Sequence, residues 1–371
     1  MSKAALVSSG ALSKETRLWR LDAPFELDNG VTLPGAQVAY RTWGKLAPDA
    51  SNAVLVCHAL TGSADADAWW SGLFGAGRAL DPARDFIICS NVLAGCYGTS
   101  GPIQPHAEDG EPWGSRFPVV TVRDMVRLQA LLLDHLGVGE LQLVLGPSLG
   151  GMQVLEWAAS YPERVRAIAP IGISGRHSAW CIAIGETQRA AIFLDPDWRD
   201  GRYPLDRPPR HGLAVARMMA MSSYRSWENF EARFGRKTQD WDGQFAVSSY
   251  LNYQGEKLYR RFDANTYVRL TQAMDSHDLA RGRGEYAAVL GSLTMPALIV
   301  SVDSDVLYPP REQEELARLL PNARYEVLHT PAGHDGFLIE TDALGEMLLR
   351  FRGLSTAQTA PGKTAAARAR N

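Results

Sequence analysis

The chain has 371 residues, 46% of them hydrophobic and 21% charged, with a formal net charge of -3 at pH 7. These are ordinary values for a folded globular chain, and they exclude a fibrous or disordered protein. The weakly acidic balance argues against nucleic acid or an anionic membrane surface as the main partner.

The four cysteines, Cys57, Cys89, Cys96 and Cys181, have neither metal-type spacing nor a disulfide framework. No apolar run reaches the length of a membrane helix, and the run at Met1–Val7 is too short for a signal peptide. The expected location is therefore the cytoplasm.

Residues 1–15 read as a loosely ordered start. Short strands follow from Leu18 to Thr42, with Asp28-Asn29-Gly30 as a hairpin signal. Gln37–Trp43 alternates as a half-buried strand. Ala53–His58 is a continuous apolar run, the pattern of a central parallel strand, and Cys57 within it reads as a core thiol. It ends in Ala59-Leu60-Thr61-Gly62, a loop at the carboxyl edge of a sheet, where α/β folds bind ligands. The backbone N–H of Leu60 is a candidate oxyanion donor. His58 reads as a structural group that orients this loop. Asp85–Asn91 gives another strand, with Cys89 in its core. The Gly-rich loop Val92–Pro102 lacks the Lys-Ser/Thr pair of a phosphate-binding loop. A helix over Met125–Leu136 leads to the next strand.

Leu141–Leu145 reads as a buried strand, and Met152–Ala159 carries apolar residues at helical spacing. Between them stands Gly146-Pro147-Ser148-Leu149-Gly150-Gly151. Strand, Gly-x-Ser-x-Gly and helix together make a nucleophile elbow. A serine on so sharp a turn is strained and needs small neighbours. The turn lifts the Ser148 hydroxyl above the sheet edge. It also aims the first helical N–H groups, that of Leu149 foremost, at the place where an oxyanion forms.

Val165–Ile173 is another buried strand. From 175 to 286 the alternation of strand and helix stops, and the segment reads as a helical lid rich in Arg and aromatic residues. It is inserted between two parts of one core, 16–174 and 287–354. The core resumes with Met295–Val302, followed by Asp303-Ser304-Asp305. A helix over Arg311–Leu320, a strand over Arg324–Leu328, the loop holding His334 and a helix over Thr341–Phe351 complete it. Residues 355–371 read as a disordered tail.

A serine hydroxyl is a weak nucleophile until a base takes its proton, and that base is usually a histidine oriented by a buried carboxylate. In α/β-hydrolases the three follow in the order Ser, Asp, His, each on a loop past a strand. This chain offers Ser148, then Asp305 or Asp303, then His334. Asp305 is preferred because it stands further past the strand end and opens Asp-x-x-x-Pro. His329 is the second candidate base and reads as a packing residue. His106, His135, His177, His211 and His277 read as surface or lid residues.

Cys57–Gly62, Asn91–Cys96, Gly146–Gln153, Ser304–Pro310 and Gly333–Leu338 together resemble the homoserine O-acetyltransferase family of the α/β-hydrolase superfamily. The resemblance spans roughly 16–354. It implies an α/β-hydrolase fold, a mostly parallel central sheet flanked by helices with an inserted helical lid. It makes Ser148 the acyl-bearing nucleophile, His334 the base and Asp305 its orienter. Asp335 matches the position that takes the amino group of an amino-acid acceptor, and Arg217 the lid arginine that takes its carboxylate. A zwitterion needs one anion and one cation, and a guanidinium grips a carboxylate bidentately. The resemblance further implies acetyl-CoA as co-substrate, L-homoserine as acceptor and a ping-pong cycle serving methionine synthesis. It implies no metal or other cofactor, and a homodimer joined through the lid helices. Succinyl-CoA as donor, L-serine as acceptor, or water in an esterase are the alternatives on the same scaffold. Pro147 and Ala94 stand where glycine is common in the family.

Overall fold

Val54 and Val56 pack on one face of the central sheet, and Leu55 and Cys57 on the other. Strand side chains alternate with period two, so a strand covered on both faces must be apolar throughout. The computed structural model describes residues 12–239 and 243–354. Most of the expected loose start and all of the expected tail, 1–11 and 355–371, lie outside the described residues.

The strands are β1 (Arg17–Arg20), β2 (Phe25–Glu26), β3 (Thr32–Leu33), β4 (Gln37–Trp43), β5 (Ala53–Val56), β6 (Phe86–Ser90), β7 (Leu143–Pro147), β8 (Ile168–Ile171), β9 (Ala297–Val302) and β10 (Ala323–Leu328). Eight of them form one sheet in the order β1-β4-β6-β5-β7-β8-β9-β10. β1 and β4 pair antiparallel at one edge, and the rest run parallel from β6 to β10. β2 and β3 make a separate hairpin around Gly30. The parallel strands all present their carboxyl ends to one edge, which is where the elbow and both later loops emerge.

Core helices are α1 (Ala66–Trp69), α2 (Val122–His135) and α3 (Leu149–Ser160). α2 starts earlier than the apolar spacing suggests. Thr121 accepts the Asp124 N–H while the Asp124 carboxylate accepts the Thr121 N–H, a reciprocal cap that fixes the first turn. The elbow also sits differently from its sequence reading. β7 runs through Gly146 and Pro147, which stay in register with Pro170 and Ile171 of β8, so strand turns to helix at Ser148 alone. α3 begins at Leu149, with Gly150 and Gly151 already in its first turn.

Between β8 and β9 lie α4 (Ala179–Phe193), α5 (Arg210–Tyr224), α6 (Trp227–Arg233), α7 (Ala246–Tyr259) and α8 (Ala264–Asp275), then α9 (Tyr286–Gly291). α5 docks against α4 and α7, and the group forms a helical cap. The cap is pinned to the core through Glu156 of α3, which accepts from Arg123 at 3.0 Å and also from Arg283. α10 (Pro310–Leu319), α11 (Gly336–Ile339) and α12 (Thr341–Phe351) close the chain. Leu344 and Leu348 of α12 cover the sheet face opposite α2 and α3. Among the described residues no helix is long and apolar enough to cross a membrane.

Candidate active site

Ser148 is held at φ 53°, ψ -125°, a conformation that L side chains rarely adopt. Such strain costs on the order of 1–3 kcal/mol and persists only where the surroundings impose it. Here β7 fixes one side, α3 the other, and the Ser148 N–H donates to the Ile171 carbonyl at 3.0 Å. The elbow lies hard against the end of β5. A Cβ on Gly150 would stand 2.1 Å from the Cys57 carbonyl oxygen, and one on Gly146 2.5 Å from it. Only glycine fits at either place.

The two N–H groups read as oxyanion donors flank this turn. That of Leu149 opens α3, where the first helical N–H groups have no intrahelical partner. Leu60 follows β5 in a turn closed by the Gly62 N–H on the Ala59 carbonyl at 2.9 Å. His58 sits beneath it, buried, with Nε2 accepting the Val92 N–H at 3.2 Å and Nδ1 bonding the Ala59 carbonyl at 2.8 Å. Burial pushes its pKa down to about 4. A neutral ring with both nitrogens engaged ties two loops together, in keeping with the structural role read for it.

Asp305 and His334 meet in the interior. His334 Nδ1 lies 2.6 Å from Asp305 Oδ2, and the two side chains are 3% and 0% exposed. Asp305 Oδ1 accepts the N–H groups of Leu307 at 2.8 Å and Tyr308 at 2.9 Å. The carboxylate therefore only accepts, so Nδ1 carries the proton and Nε2 faces away as a base. Nε2 is buried and has no hydrogen-bond partner among the described residues. The two loops are locked by Ser304, whose hydroxyl donates to the Thr330 carbonyl and accepts the Gly333 N–H at 2.9 Å. Gly172, next to the Ile171 that holds Ser148, has its Cβ direction 3.7 Å from both the His334 ring and Asp305 Oδ2. Elbow, carboxylate and imidazole thus converge on the end of β8.

Burial disfavours the imidazolium, but the charge and hydrogen bond of Asp305, helped by Asp335, outweigh it, and the His334 pKa is raised above the usual histidine value. Tyr308 and Tyr224 lean against the ring at 5.3 and 5.7 Å between centroids, and Phe337 meets it edge-on at 5.2 Å.

The alternative pair lies elsewhere. Asp303 Oδ2 bonds His329 Nδ1 at 2.9 Å, and the His329 side chain is 79% exposed. His329 is a surface group, not the packing residue its place at a strand end suggested, because β10 is the edge strand and the position just past its buried last residue, Leu328, opens to solvent. His177 and His277 lie in the 175–286 segment read as the lid, and their side chains are buried. Burial pushes their pKa values down to about 3 and about 4. Both lie at the root of the cap, where α8 returns onto the start of α4. His177 Nδ1 bonds the Tyr308 hydroxyl at 3.1 Å. Beside it a cavity of about 30 Å³ is lined by Leu60, Cys181, Tyr224, Met274 and Tyr308.

Arg217 and Asp335 are both near the imidazole. The Arg217 guanidinium sits 5.4 Å from the centroid of Tyr224, the ring that leans on His334, and among the described residues no carboxylate is within ion-pair distance of it. Asp335 is paired with Arg225, Nη2 to Oδ2, at 3.1 Å. Burial raises the Asp335 pKa against the pull of Arg225, Arg217 and His334. Tyr224, Tyr308, Phe337 and Arg225 are site residues that the sequence reading did not name. One signal was available for Tyr224: it lies seven positions after Arg217, on the same face of α5. Among the described residues no group of three or more His, Cys, Asp or Glu side chains is disposed to hold a metal ion.

Comparison with known proteins agrees with the fold. Residues 52–341 match the family described as alpha/beta hydrolase fold. A homoserine O-acetyltransferase of Trichormus variabilis (strain ATCC 29413 / PCC 7937) is 59% identical over 341 residues, covering 92% of this chain and 95% of that protein. The crystal structure of esterase E22 superposes with TM-score 0.85 at 25% identity, covering 91% of this chain and 99% of that one. That of a homoserine O-acetyltransferase from Bacillus anthracis gives 0.86 at 24% identity, covering 92% and 98%.

Proposed function

The chain belongs to the homoserine O-acetyltransferase family of α/β-hydrolase-fold proteins, and from that premise we propose that it moves an acetyl group from acetyl-CoA to the hydroxyl of L-homoserine. The observation that carries the chemistry is the buried Asp305–His334 pair, its Nε2 unpartnered among the described residues, converging with the strained Ser148 elbow on the end of β8. Nε2 takes the Ser148 proton, and the serine oxygen attacks the thioester carbonyl. The tetrahedral oxyanion is held by the N–H groups of Leu60 and Leu149. CoA leaves as its thiol, taking the proton from the imidazolium, and the acetyl group stays on Ser148. Homoserine then enters, and His334 removes its hydroxyl proton as that oxygen attacks the acetyl-serine carbonyl. The second tetrahedral intermediate collapses to O-acetylhomoserine as the Ser148 oxygen leaves and takes the proton back from the imidazolium. Asp305 keeps the imidazole in the right tautomer and stabilises its charged form.

Arg217 is assigned to the acceptor carboxylate and Asp335 to its ammonium group. The free guanidinium of Arg217 supports the first assignment. The second requires Asp335 to share its carboxylate with Arg225. The helical cap acts as the lid that keeps water from the acyl-enzyme. Phe193, Leu194, Trp227 and Tyr253 on the cap are exposed apolar side chains, which supports a homodimer joined through these helices. We place the enzyme in the cytoplasm, at an activation step of methionine synthesis.

The test crosses acetyl-CoA and succinyl-CoA with L-homoserine and L-serine and follows release of the CoA thiol. Fast, homoserine-dependent release from acetyl-CoA is expected. Release that needs no amino acid would make the protein a hydrolase, and a preference for succinyl-CoA would reassign the donor.

A further inference from the structure

We propose that Arg261, carried by the cap, is a positioning residue for the oxyanion loop, and so couples the seating of the cap to the chemistry at Ser148. This rests on the reading of Leu60 as an oxyanion donor. Leu60 and Thr61 are the two central residues of the turn closed from Gly62 to Ala59. Such a turn uses only the outer carbonyl and the outer N–H, so the polar groups of its apex need partners from elsewhere. The flanks of the loop are tied down by the core. His58 accepts the Val92 N–H, and Asn91 accepts the Ala64 N–H at 2.8 Å while donating to the Tyr97 carbonyl at 2.7 Å.

The apex is held differently. The Thr61 carbonyl accepts from Arg261 Nη1 at 2.9 Å, and the same nitrogen bonds the Tyr97 hydroxyl at 2.5 Å. Arg261 stands in the short link between α7 and α8, and Phe262 beside it packs edge-on against Tyr97 at 5.8 Å. A cavity of about 10 Å³ separates Phe262 from His58, Leu60 and Gly62. Arg261 therefore touches this loop directly, while Phe262 packs on Tyr97 and faces the loop across that small cavity. Among the described residues no carboxylate lies within ion-pair distance of Arg261, and the Leu60 N–H makes no hydrogen bond. The guanidinium holds the carbonyl of the Thr61–Gly62 peptide, the same peptide whose N–H closes the turn on Ala59, and so steadies the turn that aims the Leu60 N–H two peptide units back.

The test compares wild type with Arg261→Gln, Arg261→Lys and Tyr97→Phe in the full chain, using acetyl-CoA and p-nitrophenyl acetate as separate acyl donors. The ester has no phosphates, so it reports oxyanion stabilisation apart from any grip on CoA. Losing a donor outright costs about 10²–10³ in kcat, and mis-aiming one costs less. Arg261→Gln is expected to slow Ser148 acylation about 10-fold from both donors, with the KM for acetyl-CoA unchanged. Arg261→Lys should recover part of the rate. Tyr97→Phe should give a smaller loss that disappears in the Arg261→Gln background. Thermal melts identify any variant that loses its fold, and Tyr97→Phe then carries the comparison. A loss confined to acetyl-CoA with a raised KM would make Arg261 a phosphate ligand and overturn the proposal, as would unchanged rates with both donors. No homoserine is used, so a wrong acceptor leaves the test intact. Absence of any Ser148-dependent release of p-nitrophenolate from wild type would overturn both this proposal and the acyl-enzyme reading.

Discussion

Asp305 and His334, 29 positions apart in the chain, meet across 2.6 Å in the interior, while Asp303 and His329 meet across 2.9 Å at the surface. The two pairs use neighbouring residues of the same two loops, and only the first is buried against the elbow. Asp305→Asn and His334→Ala should each lower kcat by about 10³-fold or more, and Asp303→Asn and His329→Ala should stay near wild type. Steady-state kinetics on the four variants checks this. Inactivity in Asp303→Asn with an active Asp305→Asn would reverse the assignment.

The Asp305 charge raises the His334 pKa against the pull of burial. The base works only when neutral, so activity falls as pH drops through this pKa. The acid limb of the kcat/KM profile is expected above about 6.5, the ordinary histidine value. In the residual activity of Asp305→Asn, burial is opposed only by the Asp335 charge, and the limb should move to lower pH. A limb below the ordinary value in wild type, or one that does not move in the variant, speaks against His334 as the titrating base.

These residues were legible in the sequence to different degrees, for physical reasons. Ser148 announces itself through local strain: the glycines at 146 and 150 are demanded by the Cys57 carbonyl that their Cβ atoms would strike. Asp305 is set apart from Asp303 in the sequence only by standing further past the strand end and opening Asp-x-x-x-Pro; the loop geometry, in which it takes the N–H groups two and three residues on, left no trace there. The Arg225–Asp335 pair, the Arg261 contact with Thr61 and the burial of His177 left no local trace. Each depends on where the cap comes to rest, a long-range outcome that spacing does not encode. The strand and helix limits at the elbow shifted for a related reason, since pairing with β8 carries β7 through a glycine and a proline that read as a loop.

Gly150 tests the packing of the elbow itself. A Cβ 2.1 Å from a backbone oxygen forces the α3 start away from β5. Gly150→Ala should lose about 1–3 kcal/mol of stability by overpacking and most of its activity, because the shift moves the Ser148 hydroxyl as well. Thermal melts and the acylation rate measure the two effects. A variant with wild-type stability and rate would mean that the elbow does not press on β5.

Arg217→Ala and Asp335→Ala should damage the second half-reaction only. Charge-assisted hydrogen bonds contribute on the order of 1.5–3 kcal/mol, so kcat/KM for the acceptor should fall roughly 10- to 100-fold. Arg225→Gln should act in the same direction, since it releases the carboxylate that Asp335 presents. Single-turnover acylation by acetyl-CoA alone should be preserved in all three. Equal losses in acylation and discharge would assign these residues to the cap's packing.

The most direct test of the account is intact-protein mass spectrometry of the enzyme mixed with acetyl-CoA alone, followed by addition of L-homoserine. Wild type should gain one acetyl group, located on Ser148 by peptide mapping, hold it in the absence of acceptor, and lose it on addition of homoserine as O-acetylhomoserine appears. Ser148→Ala should keep its fold and gain nothing. Acetylation that persists in Ser148→Ala, or an acetyl group on wild type that homoserine fails to discharge, would contradict a serine acyl-enzyme serving this acceptor.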